Sequence, residues 1–198
     1  MAHVIVSNIV SLDGYYEGPT HGVMELPMDT AFDASNRERI ESARTVLLGR
    51  SSYELFSAYW PGIQHQPAVP AYDPQSQMLN DHNRAISRRY DDVDILVVSD
   101  TLSLADDSPW RDHTSVIPRG MVADALTAIE GECVVFGSRI MWNGLLQQGL
   151  VDELHLMVGA RVLGGGTPLF RQPADFELRD ARRFDGSDNI HLVYAPRT

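Results

Sequence analysis

An apolar run, Cys133-Val-Val-Phe136, stops at Gly137-Ser138 and gives way to a helical pattern that closes at Gly149. A second apolar run then begins at Leu154. This strand–glycine turn–helix–strand unit constrains the chain more than any other stretch, because the turn delivers the chain to the positive end of a helix. Free backbone N–H groups and the helix dipole make such a turn a seat for an anion, such as the phosphate of a nucleotide cofactor. A tight turn in any α/β protein has the same sequence, so the stretch alone leaves both readings open.

The rest of the chain repeats the alternation. His3 to Val10 reads as a buried strand with almost no polar face, stopped by turn formers from Ser11 to Pro19. A helix is expected from Thr30 or Asp33 to about Ala43, a short strand at Thr45–Gly49, and a second helix opening at Arg50. Residues 60–77 are rich in Pro and Gln and read as a long loop, a lid or mobile excursion inside one domain of residues 1–198. A polar helix (Leu79–Tyr90), strands at Val93–Val98 and Thr114–Ile117, and a helix at Val122–Ile129 precede the opening unit. After it come a glycine-rich loop, Ala160–Pro168, and a tail from Phe176 to Tyr194 that alternates as two antiparallel strands. Strands alternating with helices give an α/β domain, and the tail makes its sheet mixed.

Composition removes several classes of function. The net charge is −11, which lacks the basic footprint of a nucleic-acid binder. Cys133 is the one cysteine, so no intramolecular disulfide and no cysteine zinc cluster can form. The seven histidines show no metal-ligand spacing, and no metal site is expected. No Gly-x-Ser-x-Gly elbow occurs, which gives a hydrolase little support. Neither a signal peptide nor a membrane-length apolar run is visible, so the expectation is a soluble cytoplasmic protein without nucleic-acid or membrane partners.

Five stretches, in order, carry a resemblance: Ser11-Leu-Asp-Gly14, Val46-Leu-Leu-Gly-Arg-Ser-Ser-Tyr-Glu54, Val97-Val-Ser-Asp-Thr-Leu102, Phe136-Gly-Ser with Gly149-Leu-Val-Asp-Glu-Leu154, and Leu163-Gly-Gly-Gly-Thr-Pro-Leu-Phe170. Together they resemble the dihydrofolate-reductase-like superfamily. Within it they are most similar to the reductase domain of the bifunctional riboflavin-biosynthesis deaminase–reductase and its stand-alone relatives. The resemblance implies a three-layer αβα fold with a mixed, mostly parallel central sheet and antiparallel C-terminal strands. It also implies NADPH bound across the carboxyl ends of the strands, a small-molecule substrate and a homodimer. The deaminase half needs a Pro-Cys-x-x-Cys zinc site that one cysteine cannot supply, so the chain corresponds to the reductase domain alone.

Carried over residue by residue, the resemblance places Gly49, Arg50, Ser51 and Ser52 at a helix start against phosphate, though Ser51 would equally serve as a plain helix cap. Gly137, Ser138, Arg139 and Ile140 would take the pyrophosphate, Val10, Ser11 and Gly14 the nicotinamide edge, and Gly165 the cofactor from a late loop. Ser99, Asp100 and Thr101 match the segment at the adenosine 2′ side. Relatives commonly carry a basic residue where this chain has Asp100. A carboxylate repels a 2′-phosphate and accepts from a free 2′-hydroxyl, so NADH is a second candidate beside NADPH.

Hydride transfer also needs a proton for the heteroatom. Asp33 lies at the spacing of the acidic residue that holds the pterin in dihydrofolate reductases, and an apolar setting would raise its pKa. A helix-start carboxylate is the other reading of Asp33. Asp13 and Asp29 compete for the role. Tyr15, Tyr16, Met24 and Trp60 are candidate pocket walls or ordinary core, and Arg37 a candidate for a substrate phosphate or a solvated ion pair. The expected activity is an NAD(P)H-dependent reductase of a pyrimidine or pteridine, with the riboflavin-pathway ribosylaminopyrimidine leading. A dihydrofolate or pteridine reductase is the alternative enzyme. A non-catalytic nucleotide- or flavin-binding protein on the same fold is the alternative of another class.

Overall fold

The computed structural model describes residues 1–21, 23–66 and 79–197. In chain order it contains β1 (His3–Ser11), β2 (Tyr15–Glu17), α1 (Thr30–Ser42), β3 (Thr45–Gly49), α2 (Arg50–Ile63), α3 (Asp81–Tyr90), β4 (Asp94–Val98) and β5 (Thr114–Ile117). There follow α4 (Val122–Ala128), β6 (Glu132–Phe136), α5 (Arg139–Gln147), β7 (Glu153–Gly159), β8 (Thr167–Pro168), β9 (Phe176–Arg183) and β10 (Ile190–Pro196). The main sheet has eight strands in the order β5-β4-β3-β6-β1-β7-β10-β9. Six of them pair in parallel, and β10 runs antiparallel to both β7 and β9. The mixed sheet and the antiparallel tail are as the sequence predicts.

Period-two alternation builds the three layers. Cys133 and Val135 of β6 face one way, with Val4, Val6, Leu47 and Leu96, onto Leu126, Trp142 and Leu145 of α4 and α5. Val134 and Phe136 face the other way, with Ile5, Val46, Leu48 and Ile95, onto Ile40, Tyr53, Ile86 and Tyr90 of α1, α2 and α3. Strands covered on both faces must be apolar on both, which is why β6 and β3 read as unbroken apolar runs. The Cys133 thiol is fully buried there, and burial pushes it up to about 12. The tail is different: β9 alternates charges along an exposed outer edge, the residue choice that discourages edge-to-edge pairing.

Two features depart from the sequence reading. The expected loop at 60–77 starts too early, because Trp60–Ile63 form the last turn of α2 with Pro61 inside it. Tertiary contacts override the proline: buried Ser87 of α3 donates to the Trp60 carbonyl at 2.6 Å and accepts from Gln64 N–H at 3.0 Å. The Trp60 ring stacks on Tyr90, which stacks on Trp110. Residues 67–77 of that loop lie outside the described residues. The second departure is a two-stranded sheet of β2 and β8, too short to leave a periodic signal.

A polar pair is buried beneath α1. His155 of β7 and His191 of β10 have ring centroids 5.2 Å apart, and one nitrogen of each is buried without a partner. Burial lowers both imidazoles, and Arg39 on α1 adds repulsion; His191 falls to about 4. Between the ordinary histidine value of about 6.5 and that of the folded state, the unfolded chain binds more protons than the folded one. Stability therefore falls as pH drops through this window. We predict a falling Tm between about pH 7 and pH 4.5 and a shallower fall in His191→Gln; identical slopes in circular-dichroism melts would refute the assignment.

Candidate cofactor and substrate site

The carboxyl ends of β1, β3, β4, β6 and β7 lie along one edge of the sheet, and the sequence-predicted motifs follow them there: Ser11, Gly49, Ser99, Gly137 and the glycine-rich loop from Ala160. The turns after β3 and β6 are tied together. Gly49 N–H donates to Ser138 Oγ at 2.9 Å, and Ser138 N–H donates to Ser52 Oγ at 2.9 Å. Gly137 and Ser138 both take positive φ, 56° and 51°, to make the turn into α5. A methyl group at position 137 would lie 3.3 Å from Ser52 Oγ and 3.3 Å from the Tyr16 hydroxyl, so the positive φ favours glycine and a side chain would press on both hydroxyls.

This arrangement leaves two helix starts without side-chain caps. Ser138 is the N-cap residue of α5, yet its hydroxyl is turned to Gly49; Gly49 is the N-cap of α2 and has no side chain. Ser51, the alternative cap in the sequence, is exposed in the first turn and caps nothing. First-turn N–H groups of a helix have no intrahelical partner, so α2 and α5 bring two such sets of donors to adjacent strands. Ile140, 68% exposed in the first turn of α5, leaves that approach open. Arg139 beside it is partly spent, since its Nε donates to the carbonyls of Pro168 and Leu169.

At the end of β4 the roles are redistributed. Ser99 Oγ accepts from Thr101 N–H and Leu102 N–H, at 3.2 and 3.0 Å, and so closes the turn internally. Asp100 accepts from Arg119 N–H at 2.9 Å and pairs with the Arg119 guanidinium at 3.3 Å. The carboxylate expected to repel a 2′-phosphate thus has a cation of its own. Arg50 donates to Thr101 Oγ1 at 3.0 Å and pairs with Glu54. Arg50 and Arg119 are both exposed beside the same turn. Arg119 escaped sequence reasoning because it lies on the loop between β5 and α4, outside every motif.

On the other flank, Asp13 is corrected as a proton donor. Its carboxylate accepts from Ser11 Oγ at 2.7 Å, Leu163 N–H at 3.0 Å and Gly164 N–H at 2.8 Å. These bonds favour the ionised form and hold the group down to about 2. Asp13 is a clip that fastens the turn after β1 to the glycine-rich loop. Ser11 is buried and also accepts from Tyr15 N–H, while Val10 packs in the core below. The Gly14 carbonyl accepts from Leu169 N–H. Gly165 packs against Pro19, and Gly166, with φ 128°, passes so close to the Glu17 carbonyl that no side chain fits. The glycine-rich loop therefore closes against the β2 segment, which is also where Tyr15 sits, opposite Pro168.

Asp33 lies in the first turn of α1, only 8% exposed. Asn80 donates to its Oδ2 at 2.6 Å and Asn83 to the same oxygen at 3.2 Å. Burial dominates over these two bonds and pushes the group up to about 7. Tyr59 of α2 is close enough for the Asp33 charge to raise its own pKa further. The competing acid, Asp29, caps α1 through Ala31 and Phe32 and accepts from Ser187. Three substrate candidates do not gather here. Arg37 is ion-paired with Glu41 at 2.6 Å on the exposed side of α1. Trp60 is committed to the Tyr90 stack, as an aromatic of its size in the α2–α3 seam must be. Met24 is exposed in a short 3-10 turn, and no contact ties it to Asp33. Among the described residues, no group of three His, Cys, Asp or Glu is arranged to hold a metal ion, and no helix is long and apolar enough to cross a membrane.

Comparison with known proteins agrees with this architecture. YyaP of Bacillus subtilis (strain 168), an uncharacterized protein, is 25% identical over 195 residues, which cover 96% of this chain and 93% of that one. The diaminohydroxyphosphoribosylaminopyrimidine deaminase/5-amino-6-(5-phosphoribosylamino)uracil reductase of Thermotoga maritima superposes with a TM-score of 0.62 at 11% identity, covering 99% of this chain and 57% of that one. Dihydrofolate reductase from Enterococcus faecalis, complexed with NADP(H), superposes with a TM-score of 0.56 at 14% identity, covering 99% and 97%. These likenesses make the fold dihydrofolate-reductase-like. Residues 2–192 match the RibD C-terminal domain, and the chain belongs to that family.

Proposed function

We propose that this protein is an NADPH-dependent reductase that reduces a C=N or C=O group of a pyrimidine or pteridine, the ribosylaminopyrimidine of riboflavin biosynthesis being the leading substrate. The observation that carries this reading is the pair of uncapped helix starts, α2 and α5, held side by side by the Gly49–Ser138–Ser52 bonds. Two sets of free N–H donors at adjacent strand ends suit a diphosphate, and the glycine at 137 leaves no side chain in the way. Membership of the RibD C-terminal domain family supports the substrate class.

In this reading the cofactor supplies hydride when bound, and this chain supplies position and a proton. The first turns of α2 and α5 hold the diphosphate. Arg50, and Arg119 beside the Asp100 it neutralises, receive the 2′ side, which favours NADPH over NADH. Asp33 is the proton source: raised to about 7, it keeps a protonated fraction near neutral pH, while Asn80 and Asn83 donate to its Oδ2 and hold the carboxyl in place. Asp33 would give this proton to the substrate heteroatom, the hydride for the carbon being what a bound nicotinamide would supply, so that C=X would become CH–XH.

The direct test is initial-rate oxidation of NADPH and NADH in the presence of the ribosylaminopyrimidine or of dihydrofolate. Turnover with dihydrofolate alone would favour the pteridine reading, and no oxidation with either would overturn the reductase assignment. Asp33→Asn is predicted to lower kcat/KM by about 100-fold or more and to abolish an inflection near pH 7. Because the folded pKa is raised, any stability from Asp33 is present below about 3.8 and lost as pH rises through about 7. The same variant should therefore gain Tm relative to wild type above pH 7; a gain in stability without loss of activity would assign Asp33 to structure. Asp100→Asn keeps an acceptor for Arg119 N–H and removes the charge. We predict a several-fold rise in the ratio of kcat/KM for NADPH to that for NADH, and an unchanged ratio would exclude this turn from the 2′ pocket.

A further inference from the structure

The Tyr16 hydroxyl, a candidate pocket wall in the sequence, lies beside the paired helix starts and has no part in the proposed chemistry. Tyr16 lies on β2, whose partner β8 and neighbouring glycine-rich loop fix its backbone. Its ring packs against the core cluster on the α4–α5 side of the sheet, and the side chain reaches over the turn after β6. A methyl group built on Gly137 would touch the Tyr16 hydroxyl and Ser52 Oγ at the same distance, 3.3 Å, with Phe56 at 3.9 Å. The phenol thus ends where the β6 turn meets the first turn of α2. Ser52 Oγ is engaged by Ser138 N–H, but among the described residues no hydrogen bond engages the Tyr16 hydroxyl. Tyr16 is half-buried and its oxygen is open to solvent at this turn, so a group seated there meets a hydroxyl with no protein partner to displace.

Taking the dinucleotide site of the preceding section as its basis, we propose that Tyr16 is a cofactor-binding residue whose hydroxyl donates a hydrogen bond to a diphosphate oxygen seated at Gly137–Arg139. Burial and the nearby Glu17 carboxylate push the phenol up to about 12, so it remains a neutral donor at any pH where the protein works. Arg139, which also touches the Tyr16 environment electrostatically, begins α5 and holds the carbonyls of Pro168 and Leu169. The β2–β8 pair is in this way anchored to the diphosphate seat at two points.

Tyr16→Phe removes the hydroxyl and keeps the ring in its packing. Dissociation constants are measured by nicotinamide fluorescence for NADPH and by calorimetry for adenosine 2′-monophosphate, which has no diphosphate. The expected result is a Kd for NADPH raised about tenfold in the variant, as for loss of a hydrogen bond to a charged group, with that for the monophosphate and the Tm unchanged. Equal NADPH affinity in variant and wild type would overturn the role of Tyr16 while leaving the reductase reading intact. Tighter NADPH binding in Tyr16→Ala would also overturn it, by making the phenol an obstacle. Failure of the wild-type protein to bind either NADPH or NADH would overturn both readings.

Discussion

The edge formed by the carboxyl ends of the parallel strands depends on two hydrogen bonds between segments 89 and 86 residues apart in the chain, Gly49 to Ser138 and Ser138 to Ser52. Strand β6 is inserted between β1 and β3, so the turns that follow β3 and β6 are neighbours in space without being neighbours in sequence. Ladder hydrogen bonds fix the strands but stop short of the turns. The serine pair extends the register past the end of the sheet, and it does so at the expense of helix capping. A serine before a helix ordinarily stabilises its own first turn. Here the hydroxyl of Ser138 serves Gly49 instead, and the stabilisation forgone at α5 leaves donors available to an anion. Local stability is traded for a preorganised edge.

The two carboxylates singled out in the sequence show how environment divides one chemistry into two roles. Asp13 is exposed and accepts three hydrogen bonds; Asp33 is nearly buried and accepts two, both from neutral amides on one oxygen. In the first case hydrogen bonding to the charged form wins and the group is held near 2. In the second, desolvation wins and the group rises to about 7. Only the latter retains a proton to give near neutral pH. Neither outcome is visible from residue type or spacing, because both depend on partners distant in the chain: Leu163 and Gly164 for Asp13, Asn80 and Asn83 for Asp33.

That contrast marks the limit of what could be read in advance. Strands such as β6 and β3 were legible because two-sided burial leaves an unbroken apolar run, and α5 because Gly137 and Gly149 bracket it. The order of motifs placed Gly49, Ser99 and Gly137 on one edge, since connections between parallel strands put alternate turns at the same end of the sheet. What stayed hidden was set by tertiary contact. Ser87 holds the last turn of α2 against the preference of Pro61, which moved Trp60 from an expected loop into the aromatic stack. Arg119 reaches Asp100 from a separate loop, and this inverts the electrostatic meaning of that aspartate. Tyr16, beside the motif Ser11-Leu-Asp-Gly14, was legible as a candidate pocket wall; its place next to Gly137 was not, because that depends on how β2 is folded over the β6 turn.

The β2–β8 pair is itself the part of the fold that left no periodic signal in the sequence. It has two registered residue pairs and a register shift, too little for independent stability. Its order comes from contacts with other elements: Asp13 clips the glycine-rich loop, Gly166 admits the Glu17 carbonyl, and Arg139 holds the chain at Pro168 and Leu169. The Asp13 and Arg139 contacts join the segment to a strand end and a helix start of the main sheet, whereas the Gly166–Glu17 contact holds its two strands together. The small sheet therefore takes its position from the same strand ends that carry the paired helix starts, and the two meet at Gly137.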